Sequence, residues 1–260
     1  MALGARERDY GMLAILSDIH SNYEALVAVL AEIDRRGISQ IICLGDVVGY
    51  GPDPVLCLDL VAQRCSVTLM GNHDFAVFYE PYNFNTGAEQ ACFWTRSCLE
   101  AEADPQRRGA RWRFLAGLPA LHRTSAFLAV HASPRRPINE YIFPDDIYTN
   151  PAKFVAIFER VEKVCFVGHT HVPGVFLEGP DFYSPEEIDG RFELNDEKAI
   201  INVGSVGQPR DRDPRSSFVV LNERVVEFVR VPYDVETTVR KVQDVDELDD
   251  FLGTRLRDGR

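Results

Sequence analysis

Five of the six histidines, His20, His73, His131, His169 and His171, stand at or just beyond the end of a short apolar run. Around them the chain repeats one arrangement: Asp18-Ile19-His20, Gly45-Asp46, Gly71-Asn72-His73-Asp74, His131, and Gly168-His169-Thr170-His171. A single histidine beside a turn is most often a satisfied structural residue, but five at strand ends strain that explanation. Asp18, His20, Asp46, Asn72, His131, His169 and His171 together offer nitrogen and oxygen donors without a thiolate. That set exceeds a closed four-ligand zinc site, and mixed imidazole and carboxylate suits manganese, iron, zinc, cobalt or nickel better than calcium. Two cations sharing one carboxylate would use every donor and leave room for water. Such a pair, ~3.5–4 Å apart, acidifies water and clamps phosphoryl oxygens during in-line attack.

These residues must be held by strand ends. Met12 to Ser17 and Ile41 to Leu44 read as strands, and Val67 to Met70 as a third. Between them, Asn22 to Arg36 has Leu26, Val29, Leu30 and Ile33 at helical spacing and closes on Gly37, and Val55 to Gln63 reads as a helix. The alternation predicts a parallel sheet with right-handed crossovers, whose carboxyl edge is where ligands gather. If strand one continues past its end, Asp18 and His20 project to the same side.

Residues 75–118 read as a helical insertion rich in aromatic rings, broken by Pro81, Pro105 and Pro119. Helix packing is the more frequent reason for rings at such spacing, and a binding surface is the other. Ala126 to Val130 and Lys163 to Val167 are strand candidates flanking a helix at Pro151 to Arg160. After Pro173 come short strands without helices: Val175 to Leu177, Arg191 to Leu194, Ala199 to Val203, Phe218 to Leu221 and Val225 to Val231. They predict a second, more antiparallel sheet stacked on the first, with Val235 to Leu252 as a closing helix.

Composition narrows the setting. A chain of 260 residues, 45% hydrophobic, can bury a large core, and length with the lack of repeats or linkers favours one domain over 1–260. The net charge of −12 disfavours long nucleic acid as a partner. Met1 to Tyr10 mixes charges and resembles no secretory signal, and no apolar run approaches the ~20 residues that cross a bilayer. Six cysteines without a Cys-x-x-Cys pair read as buried free thiols. A soluble, cytoplasmic protein with no membrane partner is the expectation.

The ordered motifs from Asp18 to His171 resemble those of the calcineurin-like metallophosphoesterase superfamily. Asn202 to Arg210 is similar to the segment that closes the sheet in small bacterial members. The resemblance implies an α/β fold, a four-layer α/β/β/α sandwich of two mixed sheets with the metal site at strand C-terminal ends. It implies a phosphodiesterase or phosphatase working through a pair of transition-metal ions, manganese or iron foremost, without a covalent enzyme intermediate. It assigns Asp18, His20 and His171 to one metal, Asn72, His131 and His169 to the other, and Asp46 to both. His73 is then the residue against the phosphate, able to donate a hydrogen bond or proton to the departing oxygen.

One departure bears on substrate. Where the superfamily's eukaryotic Ser/Thr phosphatases carry an Asp that supports the catalytic histidine and an Arg that grips phosphate, this chain has Gly49 and Tyr50. A small phosphodiester, phosphomonoester or dinucleoside polyphosphate is therefore expected over a phosphoprotein; the alternatives are a phosphoprotein phosphatase or a non-catalytic metal-binding scaffold. Arg210, Arg212, Arg135 and Arg136 are candidates for a phosphate grip, and Tyr50 and Phe84 for stacking a nucleobase. Asp74 reads as a helix N-cap or outer support, and His122 as structural.

Overall fold

The computed structural model describes residues 11–260; the mixed-charge start, Met1 to Tyr10, lies outside them. The chain runs β1 (Met12–Leu16), α1 (Tyr23–Arg35), β2 (Gln40–Cys43), α2 (Pro54–Arg64) and β3 (Val67–Thr68). Three helices follow, α3 (Asn72–Phe78), α4 (Thr86–Glu100) and α5 (Pro105–Ala116), and then β4 (Leu121–Arg123) and β5 (Leu128–Val130). After α6 (Asp146–Thr149) and α7 (Pro151–Phe158) come β6 (Val164–Val167), β7 (Gly174–Leu177), β8 (Asp181–Tyr183), β9 (Arg191–Glu193) and β10 (Ala199–Asn202). The long hairpin β11 (Ser216–Asn222) and β12 (Val225–Val231) precedes α8 (Val235–Gln243) and α9 (Asp250–Thr254).

The strands form two six-stranded sheets, ordered β3-β2-β1-β11-β12-β9 and β4-β5-β6-β10-β7-β8. Strands β1, β2 and β3 are parallel, as are β5, β6 and β10. Side-chain alternation sorts the core into layers. Leu13, Ile15, Ile42 and Leu44 meet Phe166, Val175, Ile201 and Val219 between the sheets, while Ala14, Leu16, Ile41 and Cys43 turn toward α1 and α2. On the far side, Leu128, Val130, Cys165, Val167 and Ile200 are covered by Ile147, Phe154, Ile157 and Phe158 of α6 and α7. Strands apolar on both faces must be covered on both, and the result is the four-layer α/β/β/α sandwich.

Sorting of strands between sheets differs from the sequence expectation. The sheets do not divide the chain into a parallel first part and an antiparallel second. The β11–β12 hairpin joins the first sheet beside β1, and β5 and β6 open the second. Helix-free strands signal hairpins, but which exposed edge a hairpin completes is decided by long-range packing. Strands β4 and β8, short and flanking other strands at sheet edges, carry too little periodicity to be read in advance. The stretch from Val235 to Leu252 is two helices, since Asp244 ends α8 and Asp249 caps a new start at the amide of Phe251. All six cysteines are free, and four are buried. Among the described residues no helix is long and apolar enough to cross a membrane.

Phe166 is fully buried between the sheets, edge-on to Phe127 at 5.3 Å. Phe166→Ala is expected to lower stability by about 3–5 kcal/mol in urea unfolding, and a loss below about 1 kcal/mol would show that the sheets do not depend on this contact.

Candidate metal centre

The seven donors leave the carboxyl ends of parallel strands in both sheets. Asp18 and His20 follow β1, Asp46 follows β2 and Asn72 follows β3; His131 follows β5, and His169 and His171 follow β6. The parallel edges of the two layers therefore face one cleft. Three groups bring one ligand atom per residue within 4.8 Å of each other: Asp18, His20 and His171; Asp46, His131 and His169; and His20, Asp46 and His73. Asn72 joins the second, its Oδ1 3.2 Å from His131 Nε2.

Convergence does not come from strands continuing past their ends. Asp18, His20, Asp46, His169 and His171 all have left-handed backbones, with φ between 49° and 66°. Each non-glycine residue in that region stores strain, which survives only where the surroundings over-determine it. Backbone hydrogen bonds supply that determination: Asp18 N–H donates to Gly45 O at 3.0 Å, His20 N–H to Asp46 O at 2.9 Å, and Gly168 N–H to His131 O at 2.9 Å. The approach of Gly71 is closer still, since a Cβ there would lie 2.0 Å from Asp46 Oδ1.

Asp74 is not the N-cap. Helix α3 starts at Asn72 with Gly71 at its cap, so Asp74 is its third residue. Its Oδ2 accepts the Gly71 amide at 3.1 Å, and its Oδ1 accepts the amides of Val47 at 3.0 Å and Val48 at 3.3 Å. Burial and the neighbouring Asp46 charge push this carboxyl up to about 7 despite those donors.

The first group tests whether these residues suit a cation. Nδ1 of His20 faces Val48 O at 3.3 Å, and Nδ1 of His171 faces Gln208 O at 2.5 Å. A carbonyl only accepts, so each Nδ1 carries the hydrogen and each Nε2 is left as a lone pair. Those two Nε2 atoms lie 3.1 Å apart, with Asp18 Oδ1 at 3.7 and 3.2 Å. Burial pushes both imidazoles below their ordinary range, toward the neutral form. Three acceptors crowded without a hydrogen between them fit a bound cation, and Asp18 Oδ1 has no hydrogen-bond partner among the described residues.

Asp46 stands between the groups. Its Oδ1 accepts the His73 amide at 2.8 Å, and its Oδ2 faces His20 Nε2 at 3.7 Å and His131 Nε2 at 3.4 Å. Burial opposes the charge on this carboxylate, but the surrounding imidazoles outweigh it and hold its proton affinity well down. His131 Nε2 also lies 3.2 Å from His169 Nδ1.

His73 is enclosed by rings, Tyr50 at 4.3 Å, His20 at 4.8 Å and Phe84 at 4.8 Å. Its Nδ1 has Cys92 Sγ at 3.9 Å, and a Cβ on Gly49 would come within 2.4 Å of that nitrogen. A carboxylate at position 49 would collide with the ring where it stands. Burial pushes His73 down to about 4. Arg210 lies over the Tyr50 ring at 5.8 Å, so both sequence-chosen substrate contacts border the centre. Tyr50 and Phe84 turn their rings on His73 rather than standing clear as stacking platforms. Arg135 is committed to Glu140, and His122 sits on edge strand β4 outside the donor groups. Sequence reasoning missed Tyr141, whose ring stacks on His169 at 4.0 Å and 24°. No spacing or motif around it signalled that position.

Residues 12–224 match the family model described as the calcineurin-like phosphoesterase superfamily domain. An uncharacterized protein of Methanocaldococcus jannaschii is 37% identical over 259 residues, covering 96% of this chain and 98% of that one. A metallophosphoesterase from Sphaerobacter thermophilus has a similar crystal structure, with a TM-score of 0.81, 34% identity, and coverage of 96% of this chain and 99% of that one. A hypothetical protein from Pyrococcus horikoshii shares the fold at a TM-score of 0.72 and 19% identity, covering 96% and 98%.

Manganese added to chelator-stripped protein is expected to raise the melting temperature by several degrees, since a ligand at 100 times its Kd stabilises by about 2.7 kcal/mol. Asp46→Asn and Gly71→Ala should each lose most of that rise. A melting curve unmoved by manganese in the unaltered protein would count against the centre.

Proposed function

The chain belongs to the calcineurin-like phosphoesterase superfamily, and on that premise we propose that it is a binuclear metal-dependent phosphohydrolase acting on a small phosphorylated substrate. The observation that carries this reading is the pair of donor groups on either side of Asp46 Oδ2. Asp18, His20 and His171 would hold one ion, Asn72, His131 and His169 the other, and Asp46 both. Nitrogen and oxygen donors without thiolate suit manganese, iron, zinc, cobalt or nickel, and the resemblance to the family puts manganese or iron foremost. When bound, such a pair supplies acidified water and neutralises charge on the phosphoryl oxygens.

The chain's own residues do the rest. Water adds its oxygen to phosphorus, the ester bond breaks, and the departing oxygen takes up a proton. His73 is the donor: its ring stands at the centre among Tyr50, His20 and Phe84, and a ring N–H turned to the substrate would donate to the departing oxygen. Being neutral near pH 7, it acts first as a hydrogen-bond donor to developing charge, and burial makes that bond stronger than it would be in water. Arg210 adds positive charge beside Tyr50, suited to a phosphate oxygen. The enclosed Gly49 leaves no space for the carboxylate support implied for phosphoprotein phosphatases, which supports a small ester as substrate. A cytoplasmic setting accords with six free thiols.

Protein loaded with manganese should hydrolyse bis-p-nitrophenyl phosphate or p-nitrophenyl phosphate and contain close to two ions per chain by elemental analysis. Asp46→Ala should abolish turnover, and equal activity in that variant would overturn the reading. His73→Ala should lower kcat by about 10²- to 10⁴-fold with the metal content unchanged. Loss of an ion in that variant would instead make His73 a ligand, as its nearness to His20 and Asp46 allows.

A further inference from the structure

A groove of about 650 Å³ opens directly from the metal centre, with Asn72 and His169 at its head. Phe84, whose ring edges His73, lines it too, so the groove borders the His73 side of the centre. Its size is that of a small-ligand site rather than of a single phosphate. Two features of its walls are chemically specific. Tyr82 is 81% exposed and Phe75 38% exposed, large rings that the fold does not cover. Arg136 borders the same groove, and among the described residues no carboxylate pairs with it, whereas its neighbour Arg135 is neutralised by Glu140. Asn83 and Asn139 add amides able to meet the polar edge of a base, and the groove's carboxylate, Glu80, is drawn to Arg96 at 3.7 Å.

Resting on the hydrolytic reading above, we propose that the groove is a nucleotide subsite and that the substrate class is nucleoside di- or polyphosphates. The terminal phosphoryl group lies at the metal centre, the next phosphate meets the Arg136 guanidinium, and the base stacks on the Tyr82 or Phe75 ring. An unpaired guanidinium beside exposed rings matches an anion joined to a planar π-face, which a simple alkyl phosphate lacks. In the reaction the water oxygen bonds the terminal phosphorus and the anhydride oxygen leaves with the nucleotide. The proton released by water balances the one the leaving phosphate accepts.

Two measurements on the manganese-loaded full chain test this. Phosphate release is followed from ADP and from glycerol 3-phosphate, and binding of the α,β-methylene analogue of ADP is read by calorimetry without turnover. Tyr82→Ala and Arg136→Ala should each weaken analogue binding about tenfold and lower kcat/KM for ADP to match, with kcat/KM for glycerol 3-phosphate held within about twofold. Failure of the unaltered protein to bind the analogue, or binding unchanged in both variants, would overturn the groove assignment even if both compounds are hydrolysed. Binding that depends on both residues, with no phosphate released from either compound, would keep the nucleotide subsite and sink the hydrolytic reading instead.

Discussion

Asp18 and Asp46 are each tied by one oxygen to a backbone amide on a distant segment, and Asp74 spends both of its oxygens on backbone amides. Asp18 Oδ2 accepts the His169 amide at 2.9 Å, Asp46 Oδ1 accepts the His73 amide at 2.8 Å, and Asp74 accepts the amides of Val47, Val48 and Gly71. An amide bond to an anion is stronger than a neutral one, and it offsets part of the cost of burying charge. The same bonds fix where the second oxygen points. Asp18 Oδ1 and Asp46 Oδ2 are thereby left facing the imidazoles, and the loops cannot move independently without breaking a charged hydrogen bond.

That lock explains how five left-handed backbone positions persist side by side. The strain is borne by loops whose roots are parallel strands with fully buried side chains, such as Leu13, Ile15, Phe166 and Val167. The strand roots keep the loops in register, and the inter-loop amides set their conformation. Close contact at Gly71 and Gly49 is part of the same economy of space, because added carbon would meet Asp46 or His73.

The cleft is asymmetric beyond the metal donors. On one side Tyr50, Phe84 and Cys92 fit closely around His73 and leave it neutral, dry and oriented. On the other, exposed Tyr82 and Arg136, which no carboxylate pairs among the described residues, border open space. In the proposed reaction the packed side would deliver the proton, and the open side would meet what is attached to the phosphate. Differences in substrate between proteins of one fold are expected on such an open side, since one fold hosts many functions through the sites built on it.

The sequence by itself determined the donor set, because the motifs lie within a few residues of short apolar runs and local order is enough to put them at strand ends. It pointed to two stacked sheets, and the four layers followed from the resemblance to the family and were completed by helices covering strands apolar on both faces. It could not determine which sheet the β11–β12 hairpin would join, or that Asp18 and His20 converge through left-handed turns rather than an extended strand. Between helix cap and outer support for Asp74 the sequence left the choice open, for its partners Val47 and Val48 are distant in sequence. Nor did any motif reveal Tyr141 on His169, or that among the described residues Arg135 has a carboxylate partner and Arg136 none. Those outcomes rest on contacts between segments far apart in the chain, and only tertiary packing brings such segments within hydrogen-bonding reach.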